Sequence, residues 1–285
     1  MEKPSGIIWI ASYPKSGNTW TRSFLHNLIN VLSGDAEEAH DINAMNVMSA
    51  WEIAAPPYEA ALGKKVTNAT REEIAAVRHR VQSELAGSVE GLAFVKTHHA
   101  LVMDRGATTL NFDVTSGAIY IVRNPLDVAI SFAHHMGTDL NNAIAQMGKT
   151  GLETAIGERA VYEVYGSWSQ HVESWTRNPH RTVHVMRYED MLTDPHAAFG
   201  ALARHLLLTP TKTQLDRAVE LSSFEKLKAQ EEQNSFREKP IAAERFFRAG
   251  KEGQWREVLT GEQITRIVTD HELQMRRFGY WPDAG

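Results

Sequence analysis

The stretch of residues 13–20, Tyr-Pro-Lys-Ser-Gly-Asn-Thr-Trp, constrains the fold of this chain more than any other. It follows the apolar run of residues 7–11, which is too short and too rich in β-formers for a helix. It leads into residues 20–32, where apolar side chains recur at helical spacing. The loop therefore joins a buried strand to an amphipathic helix, a geometry in which backbone N–H groups hold a phosphate.

The order of residues within this loop is unusual for a phosphate loop. Lys15 precedes the single glycine, Gly17, whereas the nucleotide P-loop G-x-x-x-x-G-K-[ST] places its lysine after the glycines. A kinase or P-loop NTPase is one interpretation, and a protein that only binds a nucleotide is another. A P-loop enzyme also needs Mg²⁺ and usually an aspartate after a strand, but the later apolar strands end in Lys96, Arg123 and Arg187.

Composition excludes several other classes of protein. The 285 residues carry a formal net charge of −5, which does not favour general nucleic-acid binding. Because cysteine is absent, disulfides, zinc–thiolate sites and cysteine nucleophiles are excluded. No apolar run approaches the roughly 20 residues of a membrane span, and the N-terminal run is too short for a signal peptide. We therefore expect a cytoplasmic protein.

Strands and helices alternate along the chain. Further buried strands are predicted at residues 92–95, 118–122 and 183–186, and Thr70 and Glu73 form a capping box for a helix ending near Ala86. Another helix is predicted through residues 162–175. This order predicts an α/β fold, with a mainly parallel sheet of four to five strands flanked by helices in one domain over residues 1–285.

Three segments have weaker patterns. Met45, Met48 and Trp51 would share a helix face, forming either core or a flexible pocket wall. Residues 137–157 are polar and glycine-spaced, which predicts a mobile lid with partial helix. Residues 228–250 are charged, and we expect an irregular segment that covers a ligand.

Polar residues follow the predicted strands at the edge where α/β sheets bind ligands. His98 comes directly after a strand, and Lys96, two residues earlier, leaves the strand on the same face. His98 is a candidate general base, because imidazole titrates near neutral pH. The alternative is a structural histidine bonded to a carbonyl group, and His99, on the opposite face, is assigned that role.

Arg123 and Ser131 lie at the start and in the third turn of a helix that Asn124 caps, which suits a second phosphate. Alternatively, Arg123 pairs with Asp127 at the surface. His134 and His135 diverge by about 100° on this helix. No acidic residue supports them, so no metal is expected.

Residues 248–255 form a second loop with glycines and cations, which is either a clamp on an anionic ligand or a surface turn. Trp20 and Phe224 could stack on a base, although buried core aromatics are commoner.

Seven of these segments, in this order, resemble the cytosolic-type sulfotransferases that use 3′-phosphoadenosine 5′-phosphosulfate (PAPS), including bacterial small-molecule enzymes. The matching segments are residues 13–20, 95–98, 120–132, 165–168, 187–190, 222–224 and 248–256. The resemblance implies the P-loop-like sulfotransferase fold and transfer of a sulfuryl group from PAPS to a hydroxyl. It also implies adenosine 3′,5′-bisphosphate (PAP) as the product, without a metal.

The resemblance also implies residue roles. Lys15 would contact the leaving phosphate, Lys96 and His98 would belong to the reacting centre, and Ser131 would act beside them. The expected nucleotide contacts are Lys15, Ser16, Gly17, Asn18, Thr19 and Trp20, then Arg123, Ser131, Tyr188, Ser222, Phe224, Arg248, Ala249 and Gly250.

The chain departs from the family pattern at several positions. Asn18 stands where threonine is usual, and Ala249 replaces a lysine, which predicts a weaker 3′-phosphate contact or one made by Lys251. The family's dimer motif is reduced to residues scattered between Arg256 and Thr265, so that mode of dimerisation is not expected. The residues after His98 also differ, which predicts a different acceptor side. The least patterned segments suggest an amphipathic or aromatic alcohol or phenol as the acceptor.

Overall fold

The computed structural model describes residues 5–34, 38–45, 49–239, 245–248 and 250–282. Five strands form a parallel sheet in the order β2-β3-β1-β6-β7, and β4 and β5 form a small antiparallel hairpin. The strands are β1 Gly6–Ser12, β2 Ser49–Trp51, β3 Leu92–Thr97, β4 Met103–Asp104, β5 Ala107–Thr108, β6 Thr115–Val122 and β7 Val183–Arg187. The predicted α/β fold with a central parallel sheet is confirmed.

Helices cover both faces of this sheet. They are α1 Asn18–Ser33, α2 Ala55–Leu62, α3 Arg71–Gly87, α4 Pro125–Met136, α5 Leu140–Gly148, α6 Trp168–Thr176, α7 Tyr188–Thr193, α8 Pro195–His205, α9 Lys212–Leu221, α10 Phe224–Asn234, α11 Trp255–Val258 and α12 Gly261–Arg277. Short 3-10 turns occupy Ile42–Ala44, Val66–Asn68 and Phe112–Val114.

The central strand β1 is buried on both faces, as its continuous apolar run predicts. Ile7 and Trp9 pack into one core with α4 and α6. Ile8 and Ile10 pack into the other with α1 and α8. Because β1 is held between two cores, the loop at its carboxyl end has a fixed position.

Two predicted helices differ from the structure. The helix expected through residues 162–175 begins only at Trp168, because the side chain of Ser167 caps it and Gln170 completes a capping box. Residue 164 instead forms an isolated bridge with Glu153. The helix face expected for Met45, Met48 and Trp51 is also wrong: Met45 follows a 3-10 turn and Trp51 ends β2, while Met48 lies outside the described residues.

The segment predicted as a mobile lid contains α5. Its Ala143, Ile144 and Met147 are buried in the core beside α4 and α12. None of residues 137–157 lines the pocket described below. Mobility of this segment stays a prediction. Within the described residues, no helix is both long enough and apolar enough to cross a membrane.

Candidate active site

One pocket of about 490 Å³ opens at the carboxyl edge of the sheet, where β1, β3 and β6 end. Parallel strands bring their ends to the same edge, so residues far apart in sequence meet there. The pocket contains Lys15 after β1, Lys96 and His98 at the end of β3, and Arg123 after β6.

The loop after β1 turns sharply into α1. Lys15 has a left-handed backbone (φ 68°), and Gly17, the N-cap of α1, has φ 110°. A Cβ atom on Gly17 would lie 2.8 Å from the ring of Tyr188, so glycine is required there for space as well as conformation. The turn leaves the first N–H groups of α1 at the pocket, with no partner inside the helix.

Cations crowd this end of the pocket. A guanidinium N–H of Arg123 donates to the carbonyl of Lys15 at 3.0 Å, and the guanidinium lies 4.2 Å from the ring centre of Tyr188. Burial, with the charges of Arg123 and Lys96, lowers the pKa of Lys15 to about 7. An anion in the pocket would favour the charged form of Lys15 and relieve the repulsion among these cations.

Several buried polar atoms here have no hydrogen-bond partner among the described residues. They are Ser16 Oγ, Asn18 Oδ1, Trp20 Nε1 and Arg123 Nε. Buried polar groups normally find partners. Ser16, Trp20 and Arg123 thus supply unused donors around the loop, which fits a phosphorylated ligand.

His98 is oriented by the backbone of the neighbouring strand. Its Nδ1 lies 2.7 Å from the carbonyl oxygen of Ser12. Because a carbonyl only accepts, Nδ1 carries the proton and Nε2 of the neutral ring is a free base. Burial, followed by the charge of Lys96, holds the pKa of His98 well below its usual range. The carbonyl-bonded histidine expected as the alternative is thus present, but the bond leaves Nε2 available.

Lys96 is held by an acidic residue that the sequence did not single out. Glu238 accepts from Lys96 Nζ at 3.2 Å and from Arg22 at 2.8 Å. Burial opposes ionisation of Glu238, but Lys96 and Arg22 outweigh it and hold its pKa at about 2. Glu238 is therefore a fixed anion that ties the segment after α10 to β3 and α1.

Glu163 supports the backbone at His98. One carboxylate oxygen accepts the His98 N–H at 2.9 Å and the other accepts the Tyr165 hydroxyl at 3.2 Å. The side chain is buried and lines the pocket. Burial raises the pKa of Glu163, although Lys96 opposes the rise.

The second glycine loop closes over the pocket. Buried Asp127 accepts the N–H groups of Gly253 (2.6 Å) and Trp255 (3.1 Å), and makes no ion pair with Arg123. The surface Arg123–Asp127 pair considered from the sequence is therefore wrong. Gly250 packs so closely on Phe224 that an added Cβ would lie 2.6 Å from the ring.

An aromatic group covers Lys15 from the other side. Lys15 Nζ lies 3.9 Å from the ring centre of Phe246. Glu231 fixes that ring by accepting the backbone N–H groups of Phe246 at 2.7 Å and Phe247 at 2.8 Å. The irregular segment expected over residues 228–250 is wrong at its start, because residues 228–234 belong to α10. Residues 237–238, 246–248 and 250 line the pocket, and residues 240–244 and 249 lie outside the described residues.

Most of the predicted site residues line this pocket. They are Lys15, Gly17, Asn18, Thr19, Trp20, Lys96, His98, Arg123, Tyr188, Phe224, Arg248 and Gly250. Three others do not line it. Ser16 is buried within the loop, Ser131 lies half-buried on α4, and the Ser222 hydroxyl donates to the carbonyl of Ala218 at 2.7 Å. Their contacts with a nucleotide stay predictions, and Ala249 lies outside the described residues.

The structure adds residues that sequence reasoning missed. Glu163, Glu238, Arg159, Arg237 and His135 also line the pocket. Of these five residues, the sequence singles out only His135, and only as a possible metal ligand. Among the residues that the structure describes, no group of three or more His, Asp or Glu is arranged to hold a metal.

The chain is similar to known sulfotransferases. Sulfotransferase 1B1 of Mus musculus is 28% identical over 277 residues, covering 95% of this chain and 83% of that protein. Flavonol 3-sulfotransferase of Flaveria bidentis is 26% identical over 280 residues, covering 91% of this chain and 78% of that protein.

Solved structures share the fold. A retinol dehydratase in complex with retinol and PAP superposes with a TM-score of 0.65 at 20% identity, covering 97% of this chain and 83% of that one. Mouse sulfotransferase SULT7A1 complexed with PAP superposes with a TM-score of 0.60 at 20% identity, covering 97% of this chain and 86% of that one. Residues 6–279 match the family described as the sulfotransferase domain, and the chain therefore belongs to that family.

Proposed function

We propose that this protein transfers a sulfuryl group from PAPS to a hydroxyl of a small molecule, with His98 as the general base. The observation that carries the proposal is the bond from His98 Nδ1 to the Ser12 carbonyl, 2.7 Å long. It leaves Nε2 as a base in a pocket that also contains Lys15 and Lys96. Similar solved structures contain PAP, which supports the same nucleotide here.

The pocket residues fit such a nucleotide. Lys15 and the N-terminus of α1 would hold the 5′-phosphate, since helix N–H groups and a lysine both favour phosphate. Arg123 and Arg248 would hold the 3′-phosphate, with Gly250 allowing close backbone approach. Trp20, Tyr188 and Phe224 supply the aromatic surface that an adenine ring needs.

The chemistry follows from the charges at the reacting centre. PAPS supplies an activated sulfuryl group. His98 Nε2 takes the proton of the acceptor hydroxyl while that oxygen forms its bond to sulfur. The bond between sulfur and the bridging phosphate oxygen breaks, and Lys15 stabilises the negative charge that develops on the phosphate. Lys96 contributes a second positive charge beside His98.

The acceptor would enter between Trp51, Tyr165 and Phe246, which give the pocket aromatic walls next to His98. This supports an alcohol or phenol with an aromatic or extended apolar part. Family membership argues against the kinase or NTPase interpretation.

The experiment incubates the protein with PAPS and a panel of phenols and alcohols, with EDTA present. We expect sulfated products by mass spectrometry and PAP formed in equal amount. Tight binding of PAP without any sulfated product would favour a protein that only binds nucleotide. Mg²⁺-dependent ATP hydrolysis without PAP binding would contradict the proposal.

A further inference from the structure

Two exposed arginines that line the pocket have no role in the reaction proposed above. Arg159 and Arg237 both line the pocket, together with Lys96 and His98. They come from segments almost 80 residues apart in sequence. We call this pair the arginine mouth.

The backbone fixes each arginine independently. The Ala55 N–H donates to the Arg159 carbonyl at 2.9 Å, which places Arg159 next to the segment that follows β2. The Arg237 N–H donates to Asn43 Oδ1 at 2.8 Å. The next residue, Glu238, forms an ion pair with Lys96 at 3.2 Å, which holds the backbone at Arg237 near β3.

Neither guanidinium has a hydrogen-bond or ion-pair partner among the residues that the structure describes. This contrasts with other arginines of the chain, such as Arg78 on Asp104 at 2.8 Å and Arg71 on Glu153 at 2.9 Å. An arginine that faces a pocket without a partner keeps its planar set of donors available, and that set matches a carboxylate or phosphate.

The two acids that line the pocket are both engaged. Glu238 is paired with Lys96 and Arg22, and Glu163 accepts from His98 and Tyr165. Among the residues that the structure describes, a cationic acceptor would therefore find no free carboxylate in this pocket, whereas an anionic acceptor would find two guanidinium groups without a partner.

The wider electrostatics agree. Of the residues that the structure describes, six lysines and arginines line the pocket, against two glutamates, in a chain whose net charge is −5. The nucleotide would account for Lys15, Arg123 and Arg248, and Lys96 is held in its ion pair with Glu238. The lining cations left without a partner among the described residues are the two of the arginine mouth, which would steer an anion toward His98.

From this arrangement we infer that the acceptor carries an oxyanion, such as a carboxylate, in addition to the hydroxyl that receives the sulfuryl group. The inference rests on the proposed function for the hydroxyl. The arginine mouth would bind the oxyanion and hold the hydroxyl toward His98 Nε2. Because both guanidinium groups are exposed, each charged pair is worth up to about fivefold in affinity, and the two together about tenfold.

The test uses matched acceptors. The probes are para-hydroxybenzoate and para-hydroxyphenylacetate, each beside its methyl ester, with tyramine as the cationic counterpart. Binding to protein with and without PAP is measured by calorimetry, and turnover with PAPS by mass spectrometry. The variants are Arg159→Gln and Arg237→Gln. Arg181→Gln is the control, because Arg181 is exposed and does not line the pocket.

We expect at least one acid to bind about tenfold more tightly than its ester. Either mouth substitution should reduce this ratio to about twofold, whereas Arg181→Gln should leave it unchanged. Ester or tyramine binding as tightly as the acids would overturn the inference, and so would an acid preference that survives both substitutions. Acid binding with no sulfated product would support the arginine mouth while contradicting the transfer reaction. Lack of PAP binding would count only against the proposed function.

Discussion

The Nδ1 atom of His98 lies 2.7 Å from the carbonyl oxygen of Ser12, at the ends of the adjacent parallel strands β3 and β1. The sheet itself therefore selects the tautomer of the candidate base. The carbonyl of His98 in turn accepts from His171 Nε2 at 3.1 Å, and His171 Nδ1 accepts from the Tyr120 hydroxyl at 2.9 Å. These hydrogen bonds fix the tautomers of His171 and His98 and connect Tyr120 in the core to the pocket.

A first prediction concerns the charge state of His98. Burial and Lys96 lower its pKa well below 6.5, so at pH 6.5 its ring should be neutral with the proton on Nδ1. Lys96→Met removes a positive charge and should raise this pKa. Nitrogen-15 NMR of histidine-labelled protein measures both, with the His98→Ala spectrum assigning the signals. A His98 ring half-protonated near pH 6.5 would contradict the prediction.

A second prediction concerns nucleotide affinity and pH. The pKa of free Lys15 is about 7, below its ordinary value of 10.5, and a bound phosphate should raise it. At a pH between the Lys15 pKa of the free protein and that of the complex, Lys15 is protonated only in the complex. PAP affinity should therefore fall as pH rises above about 7. Lys15→Arg stays charged and should lose this pH dependence. Calorimetric titration of PAP at several pH values provides the measurement; parallel pH profiles for wild type and Lys15→Arg would argue against it.

A third prediction isolates the closing loop. Gly250 and Gly63 both have left-handed backbones, with φ 57° and 69°, so alanine strains both. Only at Gly250 would the new Cβ meet a neighbour, the Phe224 ring at 2.6 Å. We expect the backbone strain to cost both variants about 1 kcal/mol of unfolding free energy, and Gly250→Ala to lose more because its Cβ also meets the Phe224 ring. Only Gly250→Ala should weaken PAP binding, by about tenfold or more, and equal affinities in the two variants would show that this contact does not shape the site.

A fourth prediction concerns Glu163 as a positioning residue. Glutamine can still accept the His98 N–H, whereas alanine leaves that N–H without its acceptor. Glu163→Ala should therefore lower kcat by about tenfold or more, with the KM for PAPS nearly unchanged, and Glu163→Gln should keep most of the activity. Steady-state kinetics with varied PAPS separates these effects. A kcat for Glu163→Ala equal to that of wild type would remove the assigned role.

Local pattern was sufficient for most of the fold. Four sheet strands, the Thr70 capping box and the helix after Asn124 were predicted because each is marked by an apolar run, a cap or a proline. The short β2 was missed, because three residues at an edge carry too little pattern. The segment from residue 162 was misjudged because its aromatic spacing fits a helix, whereas the cap at Ser167 starts the helix later.

Local sequence likewise predicts some residues of the site and misses others. Lys96 and Arg123 follow buried strands, and the position of a parallel strand end predicts where such residues meet. Glu163 and Glu238 could not be found this way, since their partners His98 and Lys96 lie 65 and 142 residues away in sequence. The arginine mouth also has no local signal, because it exists only where two distant segments face one pocket.

The central claim is that His98 removes the proton of the acceptor hydroxyl. The most direct measurement compares single-turnover sulfuryl transfer from PAPS in wild type, His98→Ala and the control His134→Ala, an exposed neighbour outside the pocket. The account predicts a loss of about 10²–10⁴-fold in His98→Ala alone, with PAP affinity kept within about twofold. Transfer by His98→Ala at the wild-type rate would contradict it.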